Sequence, residues 1–416
     1  MSPVSRGRKG KKPKKKAGRA RTTRHTLANA WNAELRPALA ALGSPLAPPL
    51  RPKWFDPSIR TVLDQGDAVM AARGPRELEQ ATAELLGAEL HRVVREGFDE
   101  TLFDWWIEAL AEEAAVRVQQ ESASSDSAWQ TSWRLLHGLT SIGSPGLRSI
   151  AQTALARSKP DMASHPQPEW LPQLAHIAAT GEMWQLRDAY GTRLALIAGF
   201  SYPGATDPSV FLFDVDVSGL VELVNPGVFD DMRQAADAWR TQVGDTADGV
   251  QPRPVETTED LLPLVHLELD DRALSGSESR DAMNNWFRVN RRIFDVADAL
   301  ESKGMSLPRA RSLYDVDVDP LAEAFSKWHE LRHGTRPDHE AVGALAEEWM
   351  EGTLPATWYT VSPRRMEFQR NLIDDWITED PVTVAVKELL PEWARWLGER
   401  AELPEHLVDR VVATAS

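Results

Sequence analysis

Residues 183–218 read MWQLRDAYGTRLALIAGFSYPGATDPSVFLFDVDVS, and this stretch decides the fold class. Three short runs rich in β-formers, Met183–Tyr190, Thr192–Tyr202 and Ser209–Ser218, are separated by Gly191 and by Pro203-Gly204. Glycine and proline at those joints favour turns, so the runs predict an antiparallel meander. In the third run Phe211, Phe213, Val215 and Val217 share one face, and Val210, Leu212, Asp214 and Asp216 share the other. Strand alternation points the second set toward solvent or, at its far end, a cleft.

Working outward, the pattern turns helical on both sides. Upstream, Ala30, Trp31, Leu35, Ala38, Leu39 and Leu42 recur at helical spacing until Gly43 and the Pro45–Pro52 stretch stop them. A second helix opens near Pro75 and ends at Gly97, and a third covers Phe98 to about Gln120. Trp129–Arg157, interrupted by Gly143-Ser144-Pro145-Gly146, resembles a single HEAT-type helical hairpin, and no second copy at a fixed period makes a solenoid of it. Downstream, Asn225-Pro226 is expected to open a helix through Met232 and Trp239, and the polar Thr241–Thr258 stretch reads as a linker or exposed loop. Helices are predicted near 259–269, 279–302, 320–333, 338–351, 363–378, 381–400 and 404–414. The expected fold is α+β, predominantly α-helical with one small antiparallel β-meander in the middle. Its expected parts are a basic arm (1–25), a helical domain (26–165), the meander plus a helix (166–245), a linker or loop (246–258) and a C-terminal helical domain (259–416). At roughly 100–200 residues per domain, 416 residues accommodate two or three such units.

Charge is divided unevenly. Arg6, Arg8, Lys9, Lys11, Lys12, Lys14, Lys15, Lys16, Arg19, Arg21 and Arg24 give eleven positive charges before the first acid, Glu34. The rest of the chain holds 36 basic against 62 acidic residues, so a formal −26 hides behind the total of −15. A block of like charge with glycine, proline and no apolar anchor is expected to be disordered, and such an arm can neutralise the phosphates of a nucleic acid. A solubilising tail, or an arm folded back on the acidic body, would use the same residues. The absence of cysteine excludes thiolate zinc sites, iron–sulfur clusters and cysteine nucleophiles. The longest apolar run, Leu194–Phe200, is far short of the roughly 20 residues a spanning helix needs. With no apolar secretory signal near the start, the expectation is a cytoplasmic protein that does not enter a membrane.

The sharpest local motif is His329-Glu330-Leu331-Arg332-His333, an HExxH. On a helix its two imidazoles share a face and could hold zinc, with Glu330 taking a proton from metal-bound water. His339 follows His333 at the spacing of a third histidine ligand, and Glu347, Glu348 and Glu351 are alternatives. Against this stand Arg332, a cation between the ligands, and Gly334, which tends to end the helix. Asp214 with Asp216, and Asp315-x-Asp317-x-Asp319, put carboxylates on one face at the spacing used by magnesium sites, without the supporting residues such sites need. Gly199-Phe200-Ser201-Tyr202-Pro203 approaches a nucleophile elbow but is followed by a strand, which makes it a turn. Phosphate-binding glycine motifs are missing, and the sixteen tryptophans, on helical apolar stripes, read as core anchors with one or two left for a partner surface.

The C-terminal stretch Ser362-Pro363-Arg364 through Asp374-Asp375-Trp376-Ile377, then Leu389-Leu390-Pro391-Glu392-Trp393 through Glu399-Arg400 and Leu403-Pro404, is similar to the end of uncharacterised proteins from GC-rich Gram-positive bacteria. The Tyr190–Glu222 segment with its Phe200-Ser201-Tyr202-Pro203 turn fits the same pattern. This resemblance implies a provenance and no activity. Taken together, the residues favour a non-enzymatic intracellular binding or regulatory protein whose basic arm contacts nucleic acid without sequence preference. The alternatives are a zinc-dependent hydrolase on the HExxH and a scaffold that binds a partner protein. No cofactor is expected except zinc under the hydrolase reading.

Overall fold

The computed structural model describes residues 52–95, 103–122, 128–158, 166–202, 208–268, 279–309, 312–377 and 380–416. The helix expected over Ala30–Leu42 and the basic residues from Arg6 to Arg24 lie outside the described residues.

Among the described residues six helices come first: α1 (Phe55–Asp64), α2 (Asp67–Ala71), α3 (Pro75–Arg95), α4 (Phe103–Glu121), α5 (Ala128–Ile142) and α6 (Pro145–Ser158). Pro75 stands at the first position of α3, where a missing N–H costs nothing. Leu78, Leu86, Leu90 and Val93 then bury one stripe of that helix. The Gly143-Ser144 break lets α5 turn directly into α6. A Cβ at Gly143 would meet the Leu147 side chain at 2.7 Å and the Leu139 carbonyl at 2.8 Å, so only glycine fits there. Trp106, Trp129, Leu136 and Leu139 sit at the centre of this group.

The strands are β1 (Ala178–Arg187), β2 (Arg193–Ser201), β3 (Ser209–Asp216), β4 (Glu222–Leu223), β5 (Gly227–Phe229) and β6 (Arg253–Pro254). They form an antiparallel sheet in the order β4-β3-β2-β1-β6, with β5 also paired to β3. The β2–β3 register runs unbroken from Arg193 opposite Asp216 to Phe200 opposite Ser209. The meander is therefore present, but its second face is covered. Val210, Leu212, Asp214 and Asp216 are all buried, whereas alternation had pointed them to solvent or a cleft. The cause is α7 (Met232–Val243), whose Ala235, Ala236 and Trp239 pack on Ile197, Val210 and Leu212. On the opposite face Phe200, Phe211, Phe213 and Val215 pack on α8 (Leu262–Glu268) and α10 (Trp286–Ser302). A strand covered on both sides reads as a nearly continuous apolar run, as β2 does.

Three stretches differ from the sequence expectation. Asn225-Pro226 does not open a helix. Residues 227–229 add β5 to the sheet, and α7 begins after Asp231, whose carboxylate accepts the Gln234 N–H at 2.8 Å. The polar 246–258 stretch carries β6, which closes the β1 edge. The helix expected over 279–302 is two, α9 (Arg280–Asn284) and α10, broken at Asn285.

The C-terminal helices α11 (Asp319–His333), α12 (His339–Met350), α13 (Pro363–Asp374), α14 (Pro381–Arg400) and α15 (Glu405–Ala415) share a core around Phe325, Trp349, Trp393, Trp396 and Val411. Arg365 is fully buried and donates to the Trp349 carbonyl at 2.9 Å, stapling the end of α12, while its guanidinium lies 4.2 Å from the Trp349 ring centroid. Burial pushes it down to about 9, which leaves it charged at neutral pH. The helices of residues 262–302 do not join this core. Val289 and Ile293 pack on the sheet, and Met283 and Phe287 pack with the first helical group. The chain is α+β, mostly helical, with one antiparallel sheet in its middle.

Candidate ligand cleft

The HExxH residues lie on the last turns of α11. The rings of His329 and His333 are 4.5 Å apart. His329 Nδ1 is 3.0 Å from the Thr335 carbonyl, which requires Nδ1 to be the donor, and His333 Nε2 is 3.1 Å from Glu392 Oε2 on α14. Glu330 faces Arg336, with Nε 3.4 Å from Oε2. Gly334 adopts φ 74°, ψ 2° and ends the helix, and His339 starts α12 on the far side of the turn. Among the described residues no group of three or more His, Asp or Glu stands together as a metal-holding set, so His339 is not brought to the other two histidines as a ligand. Arg332 bonds Glu399 at 2.9 Å and lies 5.3 Å from the Trp328 ring centroid, which makes this helix end a polar seam between α11 and α14.

A cleft lies elsewhere in the molecule. The first turns of α3, the β3–β5 edge and α7 enclose a cleft of about 980 Å³. Leu212 and Asp214 of β3 line it, with Trp239 and Gln242 of α7 on one side and Arg76, Gln80 and Glu84 of α3 on the other. Asp281 of α9 and Asn285 also reach it because α9 packs tightly on α3. A Cβ at Gly87 would come within 2.4 Å of the Asn284 backbone, so this approach depends on glycine. At the mouth, Arg76 pairs with Asp230.

Behind the cleft wall lies a buried ionic cluster. Arg292 bonds Glu79 at 2.5 Å and Asp295 at 2.8 Å, and Arg288 Nε is 3.0 Å from Glu79. The Tyr202 hydroxyl donates to Glu79 at 3.1 Å, and Arg288 donates to Gln80 Oε1 at 2.9 Å. Burial works against the charge on Arg292, but Glu79, Tyr202 and Asp295 outweigh it and hold the guanidinium above its ordinary value. Burial beside Glu79 pushes the Tyr202 phenol up to about 12, so it stays protonated and able to donate. The cluster ties α3, the end of β2 and α10 together and fixes Tyr202 and Gln80 as cleft walls. Losing one partner of such a set typically costs about 3–5 kcal/mol, because a buried charge is left unpaired.

Asp214 is held by Arg193, Nε to Oδ1 at 2.7 Å and Nη2 to Oδ2 at 2.6 Å. Burial raises its pKa against the opposing pull of that guanidinium. The cations beside this pair are therefore Arg193, bidentate on Asp214 in the geometry that suits a carboxylate and 3.8 Å from Asp216, and Arg364, 3.1 Å from Asp216. Asn285, also buried, donates from Nδ2 to the Pro226 and Asp281 carbonyls, both at 2.9 Å, while its Oδ1 and the Trp239 indole N–H have no protein partner. The remaining polar lining consists of the acids Glu77, Glu84 and Asp281, the base Arg73 and the amides Asn225 and Gln242, flanked by Trp170 and Phe229. Acceptors beside aromatic faces suit a ligand that brings N–H donors and positive charge. The sequence carries no local motif for this site, because its residues come from segments as far apart as Arg73 and Asn285.

Comparison with protein-family models, curated proteins and solved structures gives no match to this chain. No helix among the described residues is long and apolar enough to cross a membrane.

Proposed function

We propose that this chain is a non-catalytic binding protein that contacts nucleic acid through its basic N-terminal segment. The observation that carries the reading is the division of charge, with eleven bases and no acid before Glu34, followed by a body of formal charge −26. A nucleic acid is drawn to the first and repelled by the second, so contact is confined to the phosphates the segment reaches. Counterion release then makes binding steep in salt and nearly indifferent to sequence. The test replaces Lys9, Lys11, Lys12, Lys14, Lys15 and Lys16 by Gln in the full chain and titrates duplex DNA across a salt series. The logarithmic salt slope is expected to flatten by about 5, the release that roughly six phosphate contacts provide. Unchanged affinity and slope would remove the segment's role.

A further inference from the structure

We propose that the cleft between α3, β5 and α7 is the docking site of the chain's own basic segment, residues 6–24. The ligand class follows from the lining. Arg76 and Asp214 are already matched by Asp230 and Arg193, which leaves Glu77, Glu84 and Asp281 against Arg73, an excess of acid. All four of these are exposed. Trp170 and Phe229 line the same cleft and supply aromatic surface for guanidinium or ammonium groups. β5 pairs with β3 on one side and with no strand on the other among the described residues, and an open strand edge is a ready template for an extended chain.

The occupant follows from the sequence. Residues 6–24 carry eleven positive charges and none of the opposite sign. From Arg24 to Pro52, the first described residue, the chain has 28 residues, a tether of about 70 Å even with the helix that the sequence predicts over 30–42. A compact chain of this length has a radius of gyration of about 22 Å, so the segment can reach any point on its own body. Tethering also gives it a standing advantage over a free peptide of equal affinity. The charges that fill the cleft are those that would neutralise phosphates. Under the nucleic-acid reading, on which this consequence alone rests, cleft and nucleic acid compete for the segment and the free protein is self-inhibited.

Limited trypsin digestion of the full chain, without nucleic acid, tests the docking, because the segment is dense in cleavage sites. A synthetic peptide of residues 1–24 sets the unprotected rate. Docking predicts slower cleavage within residues 6–24 of the protein. It also predicts about tenfold faster cleavage in E77Q/E84Q/D281N, from the loss of three surface-type ion pairs. Gln242→Lys, which adds a cation on the opposite wall, should act in the same direction, while the remote E340Q/E388Q/D409N should behave as wild type. All of these substitutions are at exposed positions, so the fold is retained. Wild-type cleavage at the free-peptide rate would overturn the proposal. So would equal rates in wild type and both cleft variants, or equal release by the remote variant, which would assign the segment to the acidic surface at large. The nucleic-acid reading stands or falls separately, on the salt series.

Discussion

His137 on α5 is 9% exposed and edge-on to Trp133, with ring centroids 5.0 Å apart. Burial pushes its imidazole from 6.5 down to about 4. Between those values the unfolded chain binds a proton that the native state refuses, so stability falls as pH drops through the window and is intact above it. At about pH 5 the loss is about 2 kcal/mol, visible as a lower urea midpoint than at about pH 7.5. His137→Leu should remove that share of the pH dependence, and an unchanged difference between the two midpoints would exonerate the ring. Nothing in the local sequence marks His137, since its burial is decided by helices that pack over it. Asp214 is the opposite case. Alternation separated it from the Phe211 face, yet its neutralisation by Arg193 needed the β2–β3 register, which sets Arg193 opposite Asp216.

At the scale of elements, strong punctuation was legible. Pro75, the Gly143–Gly146 break and the Gly334 stop each mark a helix end that the structure has. β5 and β6 were not legible, because strands of three and two residues are too short to show a period, and their pairing depends on β3 and β1. The expectation of a helix opening at Asn225-Pro226 failed for the same reason. The HExxH shows what a motif lacks without its surroundings. Its spacing does put both rings on one face of α11, but Glu330 is paired with Arg336, Arg332 adds a cation beside the rings, and among the described residues no third ligand joins the two histidines. Elemental analysis of tag-free protein is therefore expected to find substoichiometric zinc, with no change in His333→Ala. One zinc per chain in the wild type and none in that variant would restore the hydrolase alternative.

For the whole molecule, the α+β outline could be read from periodicity, while the two-sided cover of the sheet and the cleft could not, because both arise from contacts between distant segments. Charge division, by contrast, needs no fold to be seen, and it has a global consequence. A body of formal charge −26 repels itself, and the basic segment offsets part of that repulsion when it lies nearby. Replacing its six lysines by Gln takes the chain from −15 to −21. At about 0.01 M salt, where screening reaches roughly 30 Å, the variant should melt about 1–2 °C below wild type. At about 1 M, where screening shortens to roughly 3 Å, the two melting curves should coincide. Equal midpoints at low salt would mean that the segment's charge does not act on the body. A gap that survives at high salt would mean that contacts other than charge hold it there.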